Sequence, residues 1–152
     1  MLLVVPILVA CASTGGPGSA PQITEFPGGV VVERRIATID YVGNPVFTVS
    51  IRVPESVARG QAFAVEVTAY GGDCVSKGDT EARVDGLSAE VTPYDWEVTR
   101  LPPRTGCSIA IRPHEHIASL RFDQAGTGRV VIHGRRKPSG EVITVERQVK
   151  VR

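Results

Sequence analysis

The sequence predicts an all-β domain, an antiparallel β-sandwich that follows a disordered N-terminal tether. Three observations predict it. Apolar and polar residues alternate with period two in several separate segments, the pattern of half-buried strands. Turn signals rich in Gly, Pro and Asn fall between those segments at short intervals. No segment shows a helical period, and a composition rich in Val, Thr, Gly and Pro with few aromatics favours strands and turns.

The chain opens with Met1 to Ala10, apolar throughout with Pro6 in its middle. A spanning helix needs about 20 apolar residues, so this run is too short to remain as one. It fits the apolar region of a signal peptide followed by small residues at a cleavage site. Leu8-Val9-Ala10-Cys11 resembles the lipobox of bacterial lipoproteins. That resemblance implies cleavage before Cys11, diacylglycerol on its sulfur, and a protein held at a membrane of the cell envelope. The positive region that usually precedes such a run is absent, so either the start lies upstream or the signal is atypical. The competing reading is an ordinary secretory signal with an incidental cysteine.

Ala12 to Pro21 contains only Ala, Ser, Thr, Gly and Pro and has no apolar surface to bury. Residues 1–10 therefore read as signal, 11–29 as lipidated flexible tether and 30–152 as the folded domain. A flexible tether of that length spans roughly 25 Å.

In the folded region, Val30 to Tyr41 is strand-like, and Gly43-Asn44-Pro45 turns the chain. Phe47, Val49, Ile51 and Val53 form one inward row, and Phe63, Val65, Val67 and Ala69 a second. Gly71-Gly72 ends that strand. Ala82 and Val84 start a weak strand, continued by Leu87, Ala89 and Val91. Pro93 breaks the pattern, and Trp96 and Val98 resume it. Cys107, Ile109 and Ile111 share a face, and Ile117 to Phe122 is strand. Val130 to Ile132 follows a glycine corner. Pro138-Ser139-Gly140 turns into a last strand in which Ile143, Val145, Val149 and Val151 face one way. Arg147 falls on that same face, which predicts a bulge or a salt bridge near the sheet edge.

The run from Val53 to Phe63 resembles the first two strands of bacterial immunoglobulin-like domains, and Leu120 to Val130 resembles their corner between late strands. The resemblance spans about Val46 to Arg152 and implies an immunoglobulin-like sandwich. The tyrosine that often marks the corner is missing, with Gly128 and Arg129 in its place. In an exported chain, Cys74 and Cys107 read as one disulfide. It follows the second strand, which makes it a loop staple rather than the core disulfide of antibody domains.

The formal net charge of +1 argues against a nucleic-acid binder. No nucleophile elbow, glycine-rich phosphate loop or spaced carboxylate pair is present, so the sequence predicts no enzyme and no cofactor. His114-Glu115-His116 sets two imidazoles two residues apart, on one face of a strand. They could meet one metal, with His133 as a third ligand; a polar strand end is the plainer reading. Asp73, Asp79, Glu81 and Asp85 could bind calcium or simply be a solvated loop. Arg135-Arg136-Lys137 could touch an anionic lipid or polymer, or serve as a charged edge. Tyr94 and Trp96 fit an interface patch or, for the only Trp, a core plug. The expected function is a lipid-anchored binding or assembly module for an envelope protein or glycan. A metal-binding periplasmic protein using His114 and His116 is the alternative.

Overall fold

The computed structural model describes residues 22–152. Cys11, the apolar run before it and the tether as far as Pro21 lie outside the described residues. The rest is all-β, with eleven strands in an eight-stranded and a three-stranded sheet.

The large sheet is organised around β8 (Ser88–Arg100). One edge of β8 pairs with β7 (Val75–Asp85), antiparallel. The other edge is shared. Its first half runs parallel to β10 (Gly126–Lys137), with Ala89 opposite Val130 and Val91 opposite Ile132. Its second half pairs antiparallel with β2 (Val30–Ile36), whose far edge carries β1 (Ile23–Phe26). Beyond Ile132, β10 leaves β8 and pairs parallel with β3 (Thr38–Tyr41). β2 and β3 are thus a wedge between two diverging strands, with Ala37 at its tip. The Ala37 N–H donates to the Pro93 carbonyl and the Ala37 carbonyl accepts from the Arg135 N–H, each at 2.9 Å. β11 (Val142–Val151) pairs antiparallel with β10, and β5 (Ser56–Val57) runs parallel to β11. The small sheet is antiparallel, in the order β4 (Ser50–Arg52), β6 (Ala62–Gly71), β9 (Arg112–Arg121).

One core joins the sheets. Val65 and Val67 of β6 and Ala118 and Leu120 of β9 meet Val91 of β8, Val130 and Ile132 of β10 and Val149 of β11. Ile39 and Phe122 fill its two ends. The inward rows of β6 and β10 therefore meet as the alternation predicts. Ile51, Val53 and Phe63 pack at the margin, and Phe47 instead lies between Tyr41, which it meets edge-on, and Tyr70, to which it is tilted. Burying each large apolar side chain contributes about 1.5–3 kcal/mol, against a chain entropy of similar total.

Several details differ from the expectation. The large sheet is mixed, with three parallel pairings, rather than antiparallel. Ile23–Phe26, read as the end of the tether, is a sheet strand. The acidic stretch before Asp85 is one long edge strand, β7. Cys107 to Ile111 is not a strand; residues 101–111 form a loop begun by Leu101-Pro102-Pro103, and Ile109 faces solvent. Pro93 does not break its strand. Its carbonyl accepts from the Ala37 N–H, so its N–H-less nitrogen faces the edge where β8 passes from β10 to β2 and no ladder bond is lost to β7; β7 shifts register between Lys77 and Thr80, next to it. A Cβ on Gly78, in that bulge, would collide with the Tyr94 carbonyl, so only glycine fits. β10 and β11 keep continuous register past Arg147, which sits opposite Val130 without a bulge. Arg147 is exposed and donates to the Glu146 carbonyl at 2.9 Å.

Candidate functional site

Strand directions bring five connections to one end of the molecule. β8 and β10 are parallel, so Arg100 and Lys137 finish at the same end. The loop after Arg100 returns into β9 at Arg112, which lies opposite Gly71, the last residue of β6. β2 starts and β3 finishes there too. Connections 27–29, 42–49, 72–74, 101–111 and 138–141 therefore share this loop end. So do five exposed large apolar side chains: Phe26, Val42, Val46, Ile109 and Val142.

The longest of these loops is held firmly. Cys74 and Cys107 are disulfide-bonded, with Cα atoms 5.5 Å apart, so β7 is stapled to the middle of the loop. The Thr105 N–H and hydroxyl both donate to the Pro102 carbonyl. The Ala110 N–H donates to the Ser108 hydroxyl at 3.2 Å. A Cβ on Gly72 would stand 3.2 Å from the Ser108 carbonyl oxygen, so the glycine lets loop and strand pass closely.

Beneath the loop end, beside Ile39 and Ala69, the space between the sheets holds a polar cluster. β9 directs His114 and His116 inward on the same face as Ala118 and Leu120, as the two-residue spacing predicts. Both meet Asp95 of β8. His116 Nε2 is 3.0 Å from Asp95 Oδ1, and His114 Nδ1 is 3.4 Å from Oδ2. The Gly78 N–H also points at Oδ1, at 3.4 Å. On the far side of the ring, His116 Nδ1 is 3.1 Å from the Thr80 hydroxyl. The His116 side chain is 0% exposed, Asp95 2% and His114 15%. An ionised carboxylate only accepts, so each histidine donates to it through the nitrogen that faces it. Thr80 then donates to a neutral His116 or accepts from a charged one. The hydroxyl–imidazole–carboxylate chain copies a catalytic relay in its atoms but not in its access, because no substrate reaches a ring without exposed surface.

The opposite face of the large sheet carries a second cluster. Arg34 of β2 donates to both Asp79 oxygens, at 2.9 and 2.6 Å, and to Glu81 at 2.7 Å. Its guanidinium lies 3.4 Å above the Tyr94 ring. The hydrogen bond from Arg34 holds the Asp79 carboxyl below the usual carboxylate range, and the same pairing raises Arg34 above its ordinary value. Asp79 and Glu81 thus serve a cation of the chain itself, and Asp73 faces Arg112 at 3.4 Å. That correction removes the calcium reading. Trp96, half-buried and opposite Arg34, belongs to this sheet face and not to the core.

Arg135, Arg136 and Lys137 are likewise engaged within the domain. Arg135 meets Glu97 at 2.6 Å and Lys137 meets it at 3.4 Å. Arg136 meets Asp40 at 2.9 Å. Burial alone would raise Glu97; the Arg135 hydrogen bond and the charges of Arg135, Lys137 and Arg35 overcome it and hold Glu97 below the ordinary glutamate range.

His133 cannot join His114 and His116. It lies between Ile132 and Gly134, which face the core and Ile39, so it projects from the other face of the sheet. Among the described residues, no group of three or more His, Cys, Asp or Glu side chains is arranged to hold a metal ion. The sequence missed Asp95, Thr80 and Arg34. The one available signal for Asp95 was an acidic residue at an inward position of a strand, in step with Ala89 and Val91.

Fold and site together define a two-sheet all-β domain that carries five of the eight exposed large apolar side chains of its described residues at one end, above a buried carboxylate–imidazole network. No family model matches the chain, and no curated protein or solved structure is significantly similar to it.

Proposed function

We propose that this chain is a lipid-anchored protein of a bacterial cell envelope, whose immunoglobulin-like sandwich presents its loop end to a protein or glycan partner. The observation that supports it most is the gathering of five connections and five exposed apolar side chains at one end. Loops clustered at the ends of two packed sheets are how immunoglobulin-type sandwiches bind. The mixed large sheet and the β2–β3 wedge are departures from that plan.

β1 runs towards the loop end, because it is antiparallel to β2. The described chain therefore enters the sheet at Gln22 heading towards the loops. A disulfide fits an oxidising compartment outside the cytoplasm. The sealed position of His116 favours binding over catalysis.

The anchor is tested by Cys11→Ser. The variant should move from the membrane fraction to the soluble one. A variant that stays with membranes after a salt wash refutes the lipobox reading.

A further inference from the structure

Resting on that binding role, we infer that the partner is a protein, and that Ile109 is the side chain it receives, in an apolar pocket rimmed by acidic groups. Ile109 is 97% exposed. A lone exposed apolar residue is ordinary on a protein surface. This one sits in a loop fixed by a disulfide and by the turn at Thr105, with Gly72 packed beneath it. A side chain carried on a backbone already held in place requires little ordering of the loop on binding, so more of its burial appears as affinity.

The chemistry selects against a glycan. Sugars are met by exposed rings and by planar hydrogen-bonding groups. Tyr94 lies under Arg34 and Trp96 is half-buried on a sheet face; Phe26, on β1, is the one ring among the five large apolar side chains exposed at this end, and the loops themselves expose Val42, Val46 and Ile109. β-Branched aliphatic groups neither stack on a sugar nor bond to its hydroxyls, but they fit a protein pocket.

Charge complementarity sets the rim. Residues 101–111 contain one charged side chain, Arg104, and no acid. Arg112 follows directly and stays exposed despite its contact with Asp73. A second copy of this end would bring these cations together, which disfavours self-association.

The test pans a phage-displayed random peptide library on the purified full-length chain. Enriched peptides should pair a large apolar residue with flanking Asp or Glu. Their binding should fall at least about tenfold with Ile109→Asp, as for a central interface anchor. It should fall several-fold with Arg104→Glu and recover with Ile109→Leu. Val84→Asp, an exposed position at the opposite end, should leave it unchanged. Melting temperatures of the variants separate lost binding from lost folding. No enrichment, or peptides that bind the Ile109→Asp chain equally well, overturns the inference. So does Ile109-dependent binding of phosphatidylglycerol vesicles, or self-association of the chain through Ile109. Binding of cell-wall glycan fragments in place of peptides sinks the inference while leaving the envelope-module reading intact.

Discussion

Asp95→Ala should be among the most destabilising single changes outside the apolar core. The carboxylate is 2% exposed and accepts from His116 at 3.0 Å and His114 at 3.4 Å, with the Gly78 N–H at 3.4 Å behind them. Removing it strands the His116 Nε2–H in a site with no exposed surface. An orphaned buried donor costs about 1–3 kcal/mol, and the cut deprives both His116 and His114 of their acceptor. We expect a loss of roughly 3–5 kcal/mol, which for a domain of this size lowers Tm by about 10–20 °C. Asp95→Asn keeps one acceptor for His116. Its amide N–H can face His114, which accepts by changing tautomer, so the loss should be only about 1–2 kcal/mol. Urea unfolding followed by circular dichroism measures both. Adding His116→Phe to Asp95→Ala should recover part of the loss, since the orphaned donor is removed with its ring. An Asp95→Ala chain within about 1 kcal/mol of the parent would refute the reasoning, because no buried network of this kind tolerates that cut so cheaply.

Four further outcomes follow from the same structure. Val65→Asp should unfold the domain, since Val65 is fully buried in the shared core, whereas Thr68→Lys on the outer face should be tolerated beside Glu115; equal damage from both would contradict the assignment of faces. Thr68→Asp, neutral by pattern alone, would set two carboxylates opposite each other and cost roughly 0.2–1 kcal/mol. Replacing Cys74 and Cys107 by Ser opens a 33-residue separation and should cost about 3–4 kcal/mol in unfolding experiments; no change in stability would mean that the staple adds nothing to the loop end. Glu97 is held below the ordinary glutamate range when folded, so the stability it lends is complete above its unfolded pKa and drains away as pH falls through the folded one. Melting temperatures from about pH 5 to 3 should therefore fall more steeply for the parent than for Glu97→Gln, and parallel curves would exclude the Glu97–Arg135 pair as the cause.

Local pattern carried much of the fold. The inward rows of β6, β10 and β11 were legible because alternation fixes a strand's buried face wherever one face is wet. β7 was not, because as an exposed edge strand it alternates Lys, Asp, Glu and Arg with few apolar residues. The segment from Cys107 to Ile111 misled in the opposite sense: it alternates well, but Pro102-Pro103 and the staple hold it off the sheet. The parallel pairing of β8 with β10 was invisible because it depends on long-range packing. The site divides in the same way. That His114 and His116 share a face follows from their spacing. That Asp95 lies between them does not, since it comes from the other sheet. The basic triplet reads as a free patch only until Glu97 and Asp40 are placed beside it.

The two halves of the interior do different work. Away from the loop end, Phe122, Leu120, Val130 and Val149 bind the sheets by apolar contact, which is strong but indifferent to small slips. Towards the loop end, beside Ile39 and Ala69, Asp95, His114, His116 and Thr80 add directional bonds that hold only in one register. A slip of β9 by one residue would turn both histidines outward and leave Asp95 buried and alone, at a cost larger than any apolar contact it could gain. The network therefore fixes how β9 sits against β8, and with it the two ends of the 101–111 loop, which leaves β8 at Arg100 and enters β9 at Arg112. The disulfide fixes the middle of that loop against β7. With both ends and the middle set, the position of Ile109 follows from the interior below it. Asp95→Asn, which loosens the network without unfolding the domain, should then weaken peptide binding at Ile109 even though residue 95 touches no partner; undiminished binding by that variant would uncouple the loop from the network.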